Sequence, residues 1–337
     1  MKNLYISIKY LGEKNLRCGV FSALLGLGSA LSCCAAQAGD FFPVFNQGSL
    51  ARNAALPALG SPRVLAAGKQ AWYGAADLSS EYYLDGNARE SILEDGETAR
   101  YSLTWAQGFG NGYEASIQLP LLNQSGGFMD HSIEQWHKLF GLPNGGREFA
   151  PRNGYSFRYV RDGVTLLDVH DSGTRLGDVQ LGGGWQWTPG TAVRAMLKLP
   201  TGDKNQLSGG GAGGALWLDY ALPFAARSTL SGYVSGGASA SGRSGPLSAL
   251  QNQVLGFGGA GLGWQAFSRV QLVGQLYLHS PLYKDTEISG LKKAGGQLLL
   301  GLNWRVGNET LFKLAFQEDV LTNSSPDFSL HFGLSLQ

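Results

Sequence analysis

Beyond residue 34 the chain has no cysteine: Cys18, Cys33 and Cys34 all fall at its N-terminal end. The rest can therefore form no disulfide, thiolate nucleophile or cysteine metal site. Charge is also scarce. Asp, Glu, Lys and Arg make up 15% of residues and the formal net charge is +1, which excludes a broad basic surface for nucleic acid. Past the first 38 residues no apolar run reaches the ~20 residues that a spanning helix needs. The sequence has no G-x-S-x-G elbow and no H-E-x-x-H helix, so the common serine-hydrolase and zinc-protease signatures are missing.

What is abundant is glycine, 50 of 337 residues, and a two-residue rhythm. Leu298, Leu300, Leu302, Trp304 and Val306 alternate with Gln297, Gly301, Asn303 and Arg305; Leu299 is the one apolar residue out of phase. Successive side chains of a strand point to opposite faces, so this is a strand with one apolar and one polar side. The same pattern recurs from Tyr101 to Trp105, Tyr113 to Leu119, Val179 to Trp187, Val193 to Leu199, Leu216 to Leu222, Leu272 to Leu278, Phe312 to Phe316 and Phe328 to Leu336. It lies behind a basic N-terminus, an apolar run and Ala36-Gln37-Ala38, the marks of a cleaved secretory signal peptide over residues 1–38. An exported, strand-patterned chain fits an outer-membrane barrel, since a closed barrel satisfies every backbone group in lipid.

Connection lengths predict the topology. Short links at Gly110-Asn111, Pro189-Gly190, residues 223–226, Ser268 and Gly307-Asn308 alternate with long links at 85–96, 122–176, 201–212, 241–250, 284–290 and 321–326. Outer-membrane barrels have short periplasmic turns and long outside loops. The expected fold is therefore an all-β, antiparallel up-and-down transmembrane barrel over residues 71–337, with about 12 strands and both ends in the periplasm. Counting the hairpin around Asp162-Gly163 as spanning strands would give about 14; the tight Asp-Gly turn favours a hairpin inside the long outer loop instead. Trp105, Tyr113, Trp185, Trp187, Tyr220, Trp264 and Trp304 fit interfacial girdles. Residues 39–70 carry Pro43, Pro57 and Pro62 with little alternation and are expected either to cross the periplasmic mouth or to enter the lumen as a plug.

Two clusters are the candidate sites. Glu114, Asp178, Arg194, Lys198, Asp219, Arg305, Lys313 and Asp319 fall on inward-facing positions and would line a pore or bind a solute; the competing expectation is a lumen filled by ion pairs. In the outer loop, residues 131–141 read as a short amphipathic helix with Ser132 and Gln135 as a capping box. Asp130, His131, Glu134, His137 and Arg147 gather there, Glu134 and His137 at helical i, i+3 spacing, so that either a ligand site or a loop held by ion pairs is expected. His279 and His331, with Ser280, Ser329 and Ser335 nearby, would be the residues of a lipid hydrolase, but their inward register opposes attack on lipid. Two G-x-G-x-x-G strings, at Gly209 and Gly256, sit at no strand-to-helix turn and read as loop or strand glycines. No catalytic residue, metal site or cofactor is assigned.

Several local motifs resemble a bacterial family of exported proteins classed only as a domain of unknown function. They are Glu97 in Glu94-Asp95-Gly96-Glu97-Thr98, Leu119-Pro120-Leu121, Ser125-Gly126-Gly127-Phe128-Met129-Asp130, Ile133-Glu134-Gln135-Trp136-His137, Phe140-Gly141-Leu142-Pro143-Asn144-Gly145-Gly146-Arg147, Gly177-Asp178-Val179 and Leu199-Pro200-Thr201-Gly202-Asp203. The likeness covers most of the chain after the leader, and the stretch from Gly126 to Arg147 is its specific part. The Gly177-Asp178 and Leu-Pro-Thr-Gly-Asp pair is similar, more distantly, to the meta-pathway phenol-degradation outer-membrane proteins. That resemblance implies a barrel concerned with small apolar compounds. The chain departs from the usual barrel ending: it closes on Leu336-Gln337, with Phe332 as the nearest aromatic residue.

The expectation is a monomeric outer-membrane channel or transporter for small solutes, hydrophobic ones among them. Its partners would be outer-membrane lipid, lipopolysaccharide and the barrel-assembly machinery, not nucleic acid. The alternatives are a plugged barrel with a structural or surface role and a lipid-modifying hydrolase.

Overall fold

The computed structural model describes residues 40–141, 146–147, 150–225, 228–307, 309–321 and 325–336. The expected leader and the Leu142–Gly145 part of the family-like block lie outside them. Twelve strands close a ring. They are β1 (Gln70–Gly86), β2 (Glu90–Gly108), β3 (Tyr113–Ser125), β7 (Gln180–Thr188), β8 (Thr191–Lys198), β9 (Gly213–Ala221), β10 (Leu230–Ser241), β11 (Val254–Phe267), β12 (Val270–His279), β13 (Gly295–Val306), β14 (Thr310–Leu321) and β15 (Phe328–Leu336). Each pairs antiparallel with the next, and β15 returns to β1 with Trp72 opposite Leu336 and Ser80 opposite Phe328. Three short strands stand outside this count: β4 (Ser156–Arg161), β5 (Val164–Val169) and β6 (Gly173–Leu176). The long-loop hairpin is therefore not a pair of spanning strands. β4 pairs with β5 and with Glu90–Asp95 of β2, above the ring.

The alternation decides the faces. On β13, Leu298, Leu300, Leu302 and Trp304 are exposed, whereas Gln297, Leu299 and Asn303 are buried. The apolar side faces outward, as lipid requires. Aromatic side chains gather on the outside near the short turns, in the pairs Trp72–Trp105, Tyr113–Trp185 and Trp304–Phe312, with ring centroids 6.4, 6.2 and 6.2 Å apart. We call this the turn end and the opposite rim the loop end. One expected long link is mostly strand: β1 and β2 are 17 and 19 residues long and leave only residues 87–89 between them. Alternation continues through Glu90, Ile92 and Glu94, whose inward side chains are buried. The β4–β5 hairpin supplies the partner that makes this extension worth ordering.

Leu299 is out of phase because the lumen is not wet at that height. Residues 40–69 thread the ring as a hairpin. The ascending arm starts at the turn end, where Asp40 meets Arg305 and the Phe41 carbonyl meets Lys313. It turns through a 3-10 segment, Ser49–Asn53, where the Ser49 N–H donates to Glu81 at 2.9 Å and the Leu50 carbonyl accepts from Tyr283 at 2.9 Å. The descending arm leaves past Glu114, which accepts the Leu65 N–H at 2.7 Å. The arms pair only at Val44 and Leu59. Phe42, Val44, Leu50 and Leu59 form a buried core with Tyr233, Tyr277 and Leu299. Gly301 is bare because the Phe42 ring sits over it; a Cβ there would lie 2.6 Å from the ring.

At the loop end a second apolar layer closes the mouth. Ile92, Phe157, Tyr159, Leu167 and Val169 pack with Ile288 and Leu291 in one buried cluster. Ile288 and Leu291 flank and lie in α2 (Ser289–Lys292), a single helical turn.

Candidate functional site

The inward polar residues hold the hairpin. Gln275 brackets Phe42: its Oε1 accepts the Phe42 N–H at 2.8 Å and its Nε2 donates to the Phe42 carbonyl at 2.9 Å. Gln317 donates to the Phe45 carbonyl at 3.1 Å, and Tyr277 to the Pro57 carbonyl at 3.2 Å. A segment with little secondary structure of its own must find partners for its buried backbone groups elsewhere, and the wall side chains supply them.

The predicted lumen residues fall into separate groups. Arg194 gathers Glu114 and Asp219, the latter at 2.8 Å, and donates to the carbonyls of Ser61 at 2.9 Å and Arg63 at 2.7 Å. Asp178 and Lys198 form a buried pair. Asp178 also accepts the Gly202 and Gly210 N–H groups at 2.8 and 2.7 Å, and Lys198 donates to the Gly211 carbonyl at 2.7 Å. Arg305 and Lys313 serve the start of the hairpin, with Lys313 5.2 Å from the Phe42 ring centre. Asp319 stands apart near the loop end, where it accepts the Leu321 N–H at 3.1 Å. Sequence reasoning left out Asp77, Arg100 and Glu81 although they share the inward parity. Asp77 accepts from Arg100 at 3.3 Å and bonds His331 Nδ1 at 2.5 Å, and His331 Nε2 meets the Tyr73 hydroxyl. His279 meets Asn46 and the Ser280 carbonyl, each at 2.8 Å. Both histidines are buried beside the hairpin and engaged by partners other than a serine hydroxyl.

Toward the turn end a cavity of about 500 Å³ lies between the wall and both arms of the hairpin, which line it with Phe41, Pro43, Pro57 and Pro62 among others. Phe41, Tyr73, Met196 and Trp217 give it apolar walls; Arg194, Glu114, Asp219 and Lys313 give it charge. Such a mixed lining suits a small solute with both kinds of surface.

The outer-loop cluster is built differently from expectation. Helix α1 runs Asp130–Phe140 and starts before Ser132, so the capping box does not form; Met129 is the N-cap and makes no side-chain cap. Glu97 replaces it from another strand, accepting the Phe128 and Met129 N–H groups at 2.9 and 2.6 Å. Glu97 and Ser80 sit on the outward faces of β2 and β1, the faces that elsewhere carry Tyr101, Leu103 and Trp72. The loop therefore folds over the outside of the wall. Trp136 meets Phe316 edge-on and Phe328 at a tilt, and donates to Glu318 at 3.1 Å. Arg147 ties Asp130 at 2.5 Å, Asp327 at 2.8 Å and Ser80 at 2.9 Å, and covers the Tyr82 ring. Burial pushes the Asp327 carboxyl up while Arg147 pulls against it. Burial lowers Arg147, but Asp327 and Asp130 outweigh that and leave it above its ordinary value. Glu134 turns to Arg152 at 3.0 Å, His131 is exposed, and His137 faces Asp327. The five residues are not brought to one point, and among the described residues no group of three metal-ligating side chains is placed to hold an ion.

Residues 30–337 match the model of a family described as a protein of unknown function (DUF3187). The chain belongs to that family. None of the curated proteins matches it. Among solved structures it is similar to the COG4313 outer membrane channel from Pseudomonas putida F1, at 12% identity and a TM-score of 0.52, covering 82% of this chain and 98% of that one. It also aligns with the Ralstonia pickettii toluene transporter TbuX at 10% identity and a TM-score of 0.40, covering 87% and 98%. The first likeness shows the fold: this DUF3187 protein is a closed antiparallel β-barrel, the fold of that outer membrane channel.

Proposed function

We propose that this protein is an outer-membrane channel for small solutes with an apolar part, kept nearly shut by its own N-terminal hairpin. The turn end faces the periplasm and the loop end faces out. The observation that carries the reading is the cavity of about 500 Å³ between the hairpin's arms and the wall, lined by both apolar and charged side chains. A barrel needed only as a wall has no use for such a space, because inward side chains can fill a ring of this size. The lining offers no nucleophile–base pair and so supports passage rather than reaction.

The test is reconstitution of the full chain in planar bilayers and liposomes, beside a deletion of residues 41–66. The full chain should show small, brief openings and slow uptake, and the deletion at least a tenfold larger conductance. If neither protein conducts or admits any solute, the channel reading falls.

The apolar layer of Ile92, Phe157, Tyr159 and Leu167 over the loop end favours a second reading, a permanently closed barrel with a surface role. That reading expects removal of residues 126–147 to alter surface adhesion or envelope integrity with permeability unchanged.

A further inference from the structure

One wall strand of the ring is interrupted. β6 and β7 would be a single strand, but the chain leaves the ladder between Leu176 and Gln180. Pro120, which has no N–H to give, stands on β3 beside the break and offers its carbonyl to the Gly177 N–H at 2.9 Å. β6 pairs with β3 alone, and its other edge has no strand because β8 stops at Lys198. An open groove of about 680 Å³ lies along that edge, lined by Arg175, Leu176, Pro200, Lys204 and Ser208 among others.

Behind the groove lies a narrow space of about 70 Å³ on the flank of the hairpin, lined by Arg52, Arg100, Asp178, Gln180, Lys198 and Ser208 among others. Ser208 borders both the groove and this throat; Gln180 borders both the throat and the cavity toward the turn end. The three spaces therefore adjoin one another along β7 and β8, and the inner two lie between that wall and the hairpin. The loop from 199 to 212 covers the junction and is latched to Asp178 through Gly202 N–H and Gly210 N–H. Gly209 lets the loop come that close: its φ is +128°, and a Cβ there would lie 2.6 Å from the Asp178 carboxylate.

The charges along the outer half favour one sign. Among the described residues Arg175 donates to Gln124 and to the carbonyls of Gly173 and Asp171 and to no carboxylate; Asp203 also borders the groove, beside Lys204, so the mouth carries two cations to one anion. Inside, Arg52 and Arg100 line the throat while their carboxylate partners, Glu81 and Asp77, do not border it. Such an arrangement raises the local concentration of anions. The mouth opens beside exposed Leu121 and Leu176, which suits an apolar tail.

We propose that solute bypasses the hairpin by this side route, entering under the 199–212 loop, passing the Asp178–Lys198 pair and reaching the lower cavity at Gln180, and that the route selects small organic anions with an apolar body. The proposal rests on the channel reading above. Its test measures uptake of hexanoate and of hexylamine into liposomes holding the full chain. Cys18, Cys33 and Cys34 are first changed to Ser. A hairpin lock is then made with Ala55→Cys and Ser241→Cys, positions joined by a 2.8 Å bond from the Ala55 N–H to the Ser241 hydroxyl. Hexanoate uptake should exceed hexylamine uptake at least fivefold and change less than twofold when the lock is oxidised. Gln180→Trp, and separately Ser208→Trp at the other end of the throat, should each cut it at least tenfold, scored only on protein that keeps its compact form on unheated gels. Asp178→Asn, which keeps the amide acceptor and drops the charge, should raise it. If oxidation silences uptake, or if both tryptophan variants pass hexanoate normally, the side route is wrong while the channel stands. If no variant, the hairpin deletion included, passes any solute, the channel reading itself fails.

Discussion

Arg147 is the residue on which the outer loop depends. It is 4% exposed and holds two carboxylates, the buried Asp130 and the half-buried Asp327. Removing one member of such a network costs about 3–5 kcal/mol, mostly because the others remain buried and unpaired. Arg147→Ala should therefore release the outer loop without opening the ring. Limited proteolysis should cut between residues 126 and 153 at least tenfold faster, while the folded barrel persists on unheated gels. Arg147→Lys should recover only part, since one ammonium cannot serve Asp130, Asp327 and Ser80 in their fixed fork. At this scale the sequence was legible in part. Pairing of Asp130 with Arg147 was one of two expectations for the cluster, whereas Asp327 lay outside it because 180 residues separate it from Arg147. Sequence spacing carries no information on such a contact.

Among the elements, α1 was visible as an amphipathic pattern but its seat was not. The pattern gives a buried face and does not say against what. The missing clue was polarity on lipid-facing positions: Ser80 follows Leu78 on β1, and Glu97 precedes Ala99 and Tyr101 on β2, all on the outward parity. A carboxylate there must be covered, since an unpaired charge facing hydrocarbon is costly. Two predictions belong here. Glu97→Leu suits a bare outer wall and ruins the cap of α1; with two charge-assisted bonds lost, it should destabilise the loop by about 2–3 kcal/mol, read as faster amide exchange at Phe128 and Met129. Trp136→Ala removes the aromatic contacts with Phe316 and Phe328, and should lower the melting temperature of the loop by a few degrees with the ring's own transition unmoved. The hairpin of residues 40–69 was less legible still. Proline and poor alternation said that it was no strand, but its backbone is satisfied by side chains such as Gln275, 233 residues away.

For the whole molecule, the ring and its contents are held by different forces. The ring is a closed ladder in lipid, where opening one strand pair exposes backbone groups that water cannot reach, at several kcal/mol each. Alternation and link lengths sufficed to read it because lipid imposes them on every strand. The hairpin has one internal bridge pair, Val44 with Leu59, and otherwise borrows side chains from the wall. Its release leaves those side chains in a polar lumen that water can fill, so their bonds are exchanged and not lost. Each such exchange costs only about 1 kcal/mol, and the main loss is the apolar core around Phe42 and Leu59. Contents should therefore leave before the container opens. In a urea titration of the reconstituted protein, conductance should rise at a denaturant concentration well below that at which the β-sheet signal in circular dichroism falls. Gly301→Leu, which crowds the Phe42 ring, should move the first transition to lower urea and leave the second in place. A single coincident transition in both proteins would mean that hairpin and ring fold as one unit, and that the barrel carries its plug as permanent filling.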